Sequence, residues 1–126
     1  GRLISPITKI NKNMEILNAK ITNAELTMED HGVLCYWLTL EGAGWGVGVG
    51  GYVIGKGYLG AKEFSGSEKG TEAIMRIMDT VGVEKWSDLK GKYVRACIEG
   101  WGNCVHRFGH ITDDKWFDQK EFFKDT

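Results

Sequence analysis

Arginine and tryptophan are the residues of this sequence whose types and spacing best suit the binding of a ligand. Trp45 and Trp101 each lie between two glycines, in two copies of the tripeptide GWG, and an indole with such small neighbours can stack against a nucleobase. Arg95 lies in an apolar, strand-like run and Arg76 in a helix-like one. A guanidinium can hold a phosphate through two parallel hydrogen bonds. The alternatives are a core or subunit-interface position for the tryptophans and a solvated helix face for Arg76, whereas Arg95 is expected to have an anion or a carboxylate as its partner.

Two glycine-rich segments look like nucleotide-binding loops, but neither keeps the whole pattern. GVGVGG, residues 46–51, has the spacing GxGxxG, yet the β-like YVI follows it where a dinucleotide site needs a helix. GGYVIGKG, residues 50–57, nearly fits a P-loop, but Gly57 stands where Ser or Thr should bind magnesium. Lys56 remains a candidate phosphate contact because its glycine neighbours expose backbone N–H groups, and an ordinary solvated lysine is the alternative.

Chemistry at a metal or a nucleophile has little support in the sequence. Cys104, His106 and His110 would share one face of a strand. They could line a zinc site if His31 or Cys97 came near, but no paired zinc knuckle is present, and we predict no metal and no cofactor. The three cysteines lie in strand-like apolar runs, where inert packing is their usual role. We therefore predict a binding protein rather than an enzyme.

Composition limits the class of protein. The chain has 126 residues, of which 42% are hydrophobic, and a net charge of −1. These values fit one domain with a real core and argue against a general coat for long nucleic acid. No apolar run is long enough for a transmembrane helix, so we predict no membrane partner. Three cysteines without a CxxC pattern fit reduced thiols in a cytoplasmic protein.

Residues 1–13, GRLISPITKINKN, look foreign to the rest of the chain. The regular pattern begins only at Met14. We expect the first thirteen residues to be an expression-vector remnant, followed by a single ligand-binding domain over residues 14–126. The alternative is a genuine N-terminal arm.

A sheet and one helix must position the candidate side chains. Two-residue periodicity and turn residues predict strands over residues 14–28, 33–40, 92–100 and 103–111, with a glycine-rich strand inside residues 41–57. The second of these strands is nearly continuous in apolar character, which favours a central strand covered on both faces. Helical spacing follows, with Ser67 or Thr71 as the N-cap and Gly82 as the end. Residues 113–123 are predicted to form one or two helical turns.

Glycine on alternate positions is the most unusual feature of the chain. Gly42, Gly44, Gly46, Gly48 and Gly50 leave one face of a strand bare. Each costs about 0.5–1 kcal/mol relative to alanine, so something is expected to approach that backbone closely. A helix of the same domain, a second subunit and a ligand are the three candidates.

The order of elements predicts an α+β fold. Strands are not separated regularly by helices, which excludes a doubly wound sheet. We expect a mainly antiparallel sheet with one main helix packed on it and a short C-terminal helical segment.

Four segments of the chain carry a resemblance to a known family. They are ITNAELTMEDHGVLCYWLTLEG, GVGGY, KGTEAIMRIMDTVGVEKWSDLKGKYVR and FGHITDDKWF, and the most specific pieces are EDHG, GGY, VGVEKWSDLKGKYVR and KWFD. With these pieces the chain resembles the phage type-one Thoeris anti-defence proteins, over nearly all of residues 14–123.

The resemblance implies a function and an assembly. Such proteins bind and sequester immune second messengers, chiefly cyclic ADP-ribose isomers and in some members cyclic oligonucleotides, without cleaving them. A host bacterial cytoplasm, a homodimer and a further assembly into hexamers are implied as well. A phage protein that inhibits a host protein by direct binding and an enzyme that hydrolyses the signal are the alternatives.

The resemblance also implies candidate ligand contacts. His31 and Lys69 are similar to residues that would contact a cyclic oligonucleotide at an outer assembly interface. Thr71 and Arg76 on the helix, and Arg95 with Lys92, are similar to residues of the ADP-ribose site.

At two of its positions the chain departs from the family. Family members often have an aromatic residue after the dipeptide GT, where this chain has Glu72 and Ala73, and they tend to have arginine at the position of Lys69. The loss of a stacking ring could change which messenger is bound.

Overall fold

The fold is α+β, a mainly antiparallel sheet with one main helix and a short C-terminal helix, which confirms the predicted class. In a computed structural model, residues 14–100 and 105–125 are described. Their strands are β1 (Met14–Asp30), β2 (Val33–Gly42), β3 (Trp45–Lys56), β4 (Ser65–Gly66), β5 (Tyr93–Glu99), β6 (Arg107–His110) and β7 (Trp116–Asp118). Their helices are α1 (Glu68–Val81), a 3-10 turn (Trp86–Asp88) and α2 (Gln119–Phe122).

All seven strands of the described residues form one sheet in the order β4-β3-β2-β1-β5-β6-β7, and every paired neighbour is antiparallel. Alternation along the strands turns one face of the sheet toward a single core. The largest fully buried core side chains include Ile21, Tyr36, Leu38, Leu40, Val49, Ile77, Val94, Ile98 and Phe108. The long β1–β2–β3 meander contributes many of them because its three strands are the longest.

The prediction that β2 is covered on both faces is wrong. Its inward residues Tyr36, Leu38 and Leu40 are fully buried, but Trp37, on the other face, is 39% exposed. The sheet is curved, and helix α1 packs on its inner side, so no described helix covers the outer face of β2. The outward residues of the apolar run VLCYWLTL differ, because Cys35 is buried while Trp37 is partly exposed.

Curvature brings the two ends of the sheet toward one another. The sheet forms a half-barrel, and the N–H of Val105, just before β6, donates to the carbonyl of Gly48 on β3 (3.3 Å). Helix α1 contacts β3, β6 and β7, so it lies across the opening between the two ends. Among the described helices none has the length and apolar character that crossing a membrane would require.

Helix α1 begins and ends at the predicted signals. The hydroxyl of Ser67 accepts a hydrogen bond from the N–H of Gly70 (3.0 Å), and Gly82 ends the helix in the left-handed conformation, with φ 92. The first turn comes very close to β3, because a Cβ placed on Gly70 would lie 2.8 Å from the Cα of Ile54. The helix therefore needs glycine at this position to reach its place over the core.

The C-terminal segment differs from the prediction at its start. Residues Trp116–Asp118 form strand β7, paired with β6, and only Gln119–Phe122 is helical. The buried side chain of Gln119 joins this segment to the core. It accepts a hydrogen bond from the hydroxyl of Tyr36 (2.5 Å) and donates to the carbonyl of Val105 (3.2 Å).

Among the described residues, a side chain of the neighbouring strand, and not helix α1, approaches the bare face of the glycine-rich strand. The second subunit and the ligand stay predictions. The indole of Trp37, on the neighbouring strand, lies over Gly48 and Gly51, and a Cβ on Gly51 would be 2.8 Å from its Cζ2. Gly50 and Gly51, with φ 136 and 88, form a β-bulge that shifts the register of the following residues of β3. Alternating glycines thus make room for a neighbouring side chain and a bulge, and Gly46 stays exposed.

Candidate functional site

Trp116 lies at the centre of a cationic cluster on the outer face of the sheet. The guanidinium carbon of Arg95 is 4.6 Å and that of Arg107 is 4.9 Å from the centroid of its indole ring. We refer to Arg95, Arg107, Gly109 and Trp116 as the Trp116 cluster. Each contact of this kind contributes about 0.5–2 kcal/mol, so the ring holds two like charges close together.

The register of three strands builds this cluster. Arg95 on β5 is opposite Gly109 on β6, which is opposite Trp116 on β7. Arg107 lies two residues before Gly109 and therefore on the same face. A Cβ on Gly109 would be 2.5 Å from Cε3 of the indole, so the ring lies directly on the glycine backbone and reaches toward β5.

Arg95 is held in place by the main chain. Its Nε donates to the carbonyl of His110 (2.7 Å) and its Nη2 donates to the carbonyl of Asp113 (2.8 Å). The sequence predicted an anion or a carboxylate as the partner of this arginine. Among the described residues, backbone carbonyls and an indole contact it instead of a carboxylate, and the anion stays a prediction. Because carbonyls are neutral, its positive charge is not cancelled by a direct ion pair.

Arg107 has an unsatisfied hydrogen-bonding group. Its Nε is buried and has no hydrogen-bond partner. Within residues 14–100 and 105–125, neither Arg107 nor Arg95 forms an ion pair with a carboxylate. A buried donor without an acceptor costs about 1–3 kcal/mol. An anion that accepted a hydrogen bond from Arg107 would remove that cost.

The positive charge of Arg107 affects the pKa of the Cys97 thiol. The two residues are opposite one another on β5 and β6. Burial raises the pKa of the Cys97 thiol, Arg107 acts to lower it, and Glu99 and Asp118 act to raise it. The net shift is upward, so this buried thiol is protonated at neutral pH and is a weak nucleophile.

A hollow of about 280 Å³ opens beside the ring of Trp116. It is lined by Arg76, Asp79, Thr80, Asp114, Lys115, Trp116 and Phe117. Two of these charges neutralise one another, because Lys115 lies 3.4 Å from Asp79. The indole N–H of Trp116 donates to Asp114 (2.9 Å), which fixes the ring at the edge of the hollow. Asp114 adds a carboxylate to the lining of the hollow, and the cations of the Trp116 cluster, Arg95 and Arg107, form no ion pair with the described residues.

Three of the predicted site residues lie near this region. Arg95 is part of the cluster, and Arg76 lines the adjoining hollow, where it also pairs with Glu72 (2.6 Å). Arg76 and Lys69 lie over the ring of Phe122, at 5.7 and 4.9 Å from its centroid. The helix and the C-terminal segment thus bring Lys69 and Arg76 to one aromatic ring beside the hollow.

The other predicted residues are dispersed. Thr71 lines a separate groove at the start of α1, Lys92 lines a polar hollow after that helix, and His31 is exposed in the β1–β2 turn with φ 57. Trp45 packs against the core. Trp101 falls outside the described residues. Thr71, Lys92, His31 and Trp45, the four of them that the structure describes, lie apart from the Trp116 cluster.

Sequence reasoning missed Trp116 and Arg107 as site residues. Trp116 lies in the segment predicted to be helical, residues 113–123, and Arg107 is not among the predicted site residues. Two short runs, HRFGH and KWFD, contain the information that could have identified these residues. If both runs are strands, Arg107 and Gly109 lie on the same face of the first, and Trp116 can lie on that face of the second. The pairing of β6 with β7 could not be read from either run alone.

No constellation for metal binding occurs in residues 14–100 and 105–125: no three His, Cys, Asp or Glu side chains converge there. His110 accepts hydrogen bonds at Nδ1 from the backbone N–H groups of Thr112 (3.1 Å) and Asp113 (2.9 Å), so that nitrogen serves the β6–β7 turn. Cys104, one of the residues considered for zinc, falls outside the described part.

Comparisons of the chain with models of known protein families, with curated proteins and with solved structures gave no match.

Proposed function

We propose that this protein binds and sequesters a cyclic nucleotide immune signal without cleaving it, and so blocks anti-phage defence in a host bacterial cytoplasm. The signal class, a cyclic ADP-ribose isomer or a cyclic oligonucleotide, follows from the resemblance of the sequence to the type-one Thoeris anti-defence proteins. One observation of the structure carries the proposal: Arg95 and Arg107 lie on the ring of Trp116 with no carboxylate partner among the described residues.

The cluster suits the phosphates that all of these signals share. A guanidinium recognises a phosphate through paired, charge-assisted hydrogen bonds, which are among the strongest polar contacts available to a protein. The buried Nε of Arg107 lacks an acceptor, while Arg95 is already oriented by two carbonyls. A phosphate beside the two guanidinium groups would neutralise the charge of both.

The residues around the cluster favour capture over cleavage. The nearest thiol, that of Cys97, has a raised pKa and is buried, so it is a poor nucleophile. The Nδ1 atom of His110 is engaged by two backbone N–H groups. The groups of this region hold charge and position rings, which are the requirements of a binding site.

We extend the proposal to the assembly. The Trp116 cluster lies on the outer face near the β7 edge of the sheet, where a second copy could close over a ligand. We therefore expect a homodimer or a hexamer in which signal sites lie between protomers, as the resemblance implies.

The test combines a ligand panel with recovery of the ligand. The protein is incubated with cyclic ADP-ribose isomers and with cyclic di- and trinucleotides, and the complexes are weighed by native mass spectrometry. We expect one class of ligand to remain bound through gel filtration and to be released intact after heat denaturation. The mass of the complex also gives the number of subunits.

Other outcomes of this experiment would replace the proposal. Recovery of only a hydrolysed product would indicate an enzyme that degrades the signal. Retention of no nucleotide, together with capture of one host protein in stoichiometric amount, would indicate an inhibitor that acts by direct binding.

A further inference from the structure

A second cavity, separate from the Trp116 cluster, lies between the start of helix α1 and the end of the sheet. It is an open groove of about 420 Å³, which is within the range of small-molecule sites. Its apolar wall consists of Leu26, Met28, Leu34, Ile54, Phe64 and Ile74. The groove shares no lining residue with the cluster or with the hollow beside it.

The wall of this groove exposes apolar surface that a ligand could cover. Leu26 is 48% and Phe64 is 64% exposed, and both residues line the groove. Covering apolar surface is favourable by about 25 cal/mol per Å². An alkyl chain laid along the groove would therefore be bound mainly by the hydrophobic effect.

Part of the groove lining is cationic and polar. Lys56 lies there with Ser65, Ser67 and Thr71, and within the described residues Lys56 forms no ion pair. The hydroxyl of Thr71 donates to the carbonyl of Ser67 (3.1 Å), which keeps this rim ordered. No Asp or Glu is among the described residues that line the groove, so nothing in its lining opposes a negative charge.

We propose that the groove binds a single-chain amphiphile with an anionic head, with its alkyl chain against Phe64 and Leu26 and its carboxylate or phosphate near Lys56. The complementarity is both apolar and electrostatic, since Lys56, which forms no ion pair with the described residues, lines the groove together with apolar side chains. This inference goes beyond the proposed function and does not rest on it, because a different set of residues carries it.

The experiment compares three ligands of equal chain length by isothermal titration calorimetry, below their micelle-forming concentrations. Decanoate and decyl phosphate should bind the full chain, and decanol should bind several-fold more weakly because it lacks the charge that pairs with Lys56. The two anions distinguish a carboxylate from a phosphate as the preferred head group. Failure of both anions to bind would overturn the proposal.

Matched variants locate the bound molecule. Phe64→Ala should lower the affinity for decanoate about tenfold, since a loss of roughly 1.4 kcal/mol of binding free energy changes affinity by that factor. Tyr58→Ala should leave this affinity within about twofold of the wild type. Phe64 and Tyr58 are both 64% exposed, but only Phe64 lines the groove, and both variants should remain folded. Equal effects of the two substitutions would show that decanoate binds elsewhere.

A second pair of variants tests the head group. Lys56→Gln should lower the affinity for decanoate and leave the affinity for decanol unchanged. Lys62→Gln removes the same charge from a residue outside the groove lining and should change neither affinity. If Lys56→Gln leaves the affinity for decanoate unchanged, the assignment of the anionic head to Lys56 is wrong.

Discussion

At the scale of single residues, the candidate site depends on what lies beneath Trp116. The indole rests on the backbone of Gly109, where a Cβ would be 2.5 Å from the ring, and this position lets the ring reach Arg95 and Arg107. The two guanidinium groups approach the same ring for different reasons. Arg95 is held by carbonyls, whereas Arg107 keeps a buried Nε without an acceptor.

Replacement of Gly109 tests this arrangement. Gly109→Val should displace the indole from the sheet, weaken binding of a phosphate-containing ligand by about tenfold or more, and lower the free energy of unfolding by roughly 1–3 kcal/mol. The indole N–H resonance of Trp116 should shift in the NMR spectrum of the variant. As a control, Gly66→Ala, which places a Cβ where no atom lies within 4 Å, should leave binding unchanged.

The pKa of Cys97 gives a second residue-scale prediction. Burial raises this pKa, and Arg107 partly offsets the rise, so Arg107→Gln should raise it further. A raised pKa means that the protonated thiol is favoured in the folded state. Its contribution to stability is complete below the pKa of the unfolded chain and is lost as the pH rises through the folded pKa. The ¹³Cβ shift of Cys97 followed against pH measures the change, and an unaltered or lower titration midpoint in the variant would contradict the proximity of the two residues.

Sequence reasoning identified part of this site. Arg95 and Arg76 stood out because arginine is unusual within an apolar strand and beside an apolar helix stripe. Trp116 and Arg107 did not, because their meeting depends on the pairing of β6 with β7, which two short runs separated by a turn do not specify. The alternating glycines were recognised as a demand for close approach, but the neighbour, Trp37, could be identified only from the register of β2 and β3.

At the scale of elements, helix α1 is the best predicted part of the chain. Its N-cap, its end and its buried stripe are local signals, carried by Ser67, by Gly82 and by Ala73, Ile77 and Val81. Strand β7 was taken for helix because three residues next to a genuine helical turn carry little periodicity of their own. Its pairing with β6 outweighs local preference.

The N-cap of α1 can be tested directly. Ser67→Ala removes the acceptor for the N–H of Gly70 and should lower the free energy of unfolding by about 1 kcal/mol. Ser87→Ala is a suitable control because the Ser87 side chain forms no hydrogen bond with the described residues, and it should be nearly neutral. Urea denaturation of the three proteins distinguishes these expectations, and equal stability of the wild type and Ser67→Ala would contradict them.

At the scale of the whole molecule, closure of the half-barrel joins parts that are distant in sequence. The hydroxyl of Tyr36 on β2 donates to Gln119, whose amide donates to the carbonyl of Val105 (3.2 Å). The antiparallel α+β class could be predicted from the order of elements, but this closure could not, because it depends on long-range hydrogen bonds. It also holds β7, and with it Trp116, at the end of the sheet.

Alkaline unfolding tests this closure. Burial chiefly, with a smaller effect of Tyr52, raises the pKa of Tyr36 above the usual value of 10.0. The protonated hydroxyl therefore stabilises the fold fully below about pH 10, and this contribution falls as the pH rises beyond the pKa of the unfolded chain. Tyr36→Phe should cost about 1–3 kcal/mol at neutral pH, because Gln119 loses a buried partner, and should reduce the loss of stability in alkali. Tyr58→Phe, at an exposed tyrosine, should have the stability of the wild type in urea titrations at neutral and at alkaline pH. If Tyr36→Phe has the same stability as Tyr58→Phe at both pH values, the argument is refuted.

The most direct test of phosphate capture at the Trp116 cluster is a calorimetric titration of the retained cyclic nucleotide into four proteins: wild type, Arg107→Lys, Arg107→Gln and the charge-matched control Lys90→Gln. We predict that Lys90→Gln binds like the wild type, that Arg107→Lys binds more weakly, and that Arg107→Gln binds weakest, with a loss of about tenfold to a hundredfold for a charge-assisted contact. Binding of the intact ligand by Arg107→Gln with the affinity of the wild type would contradict the account.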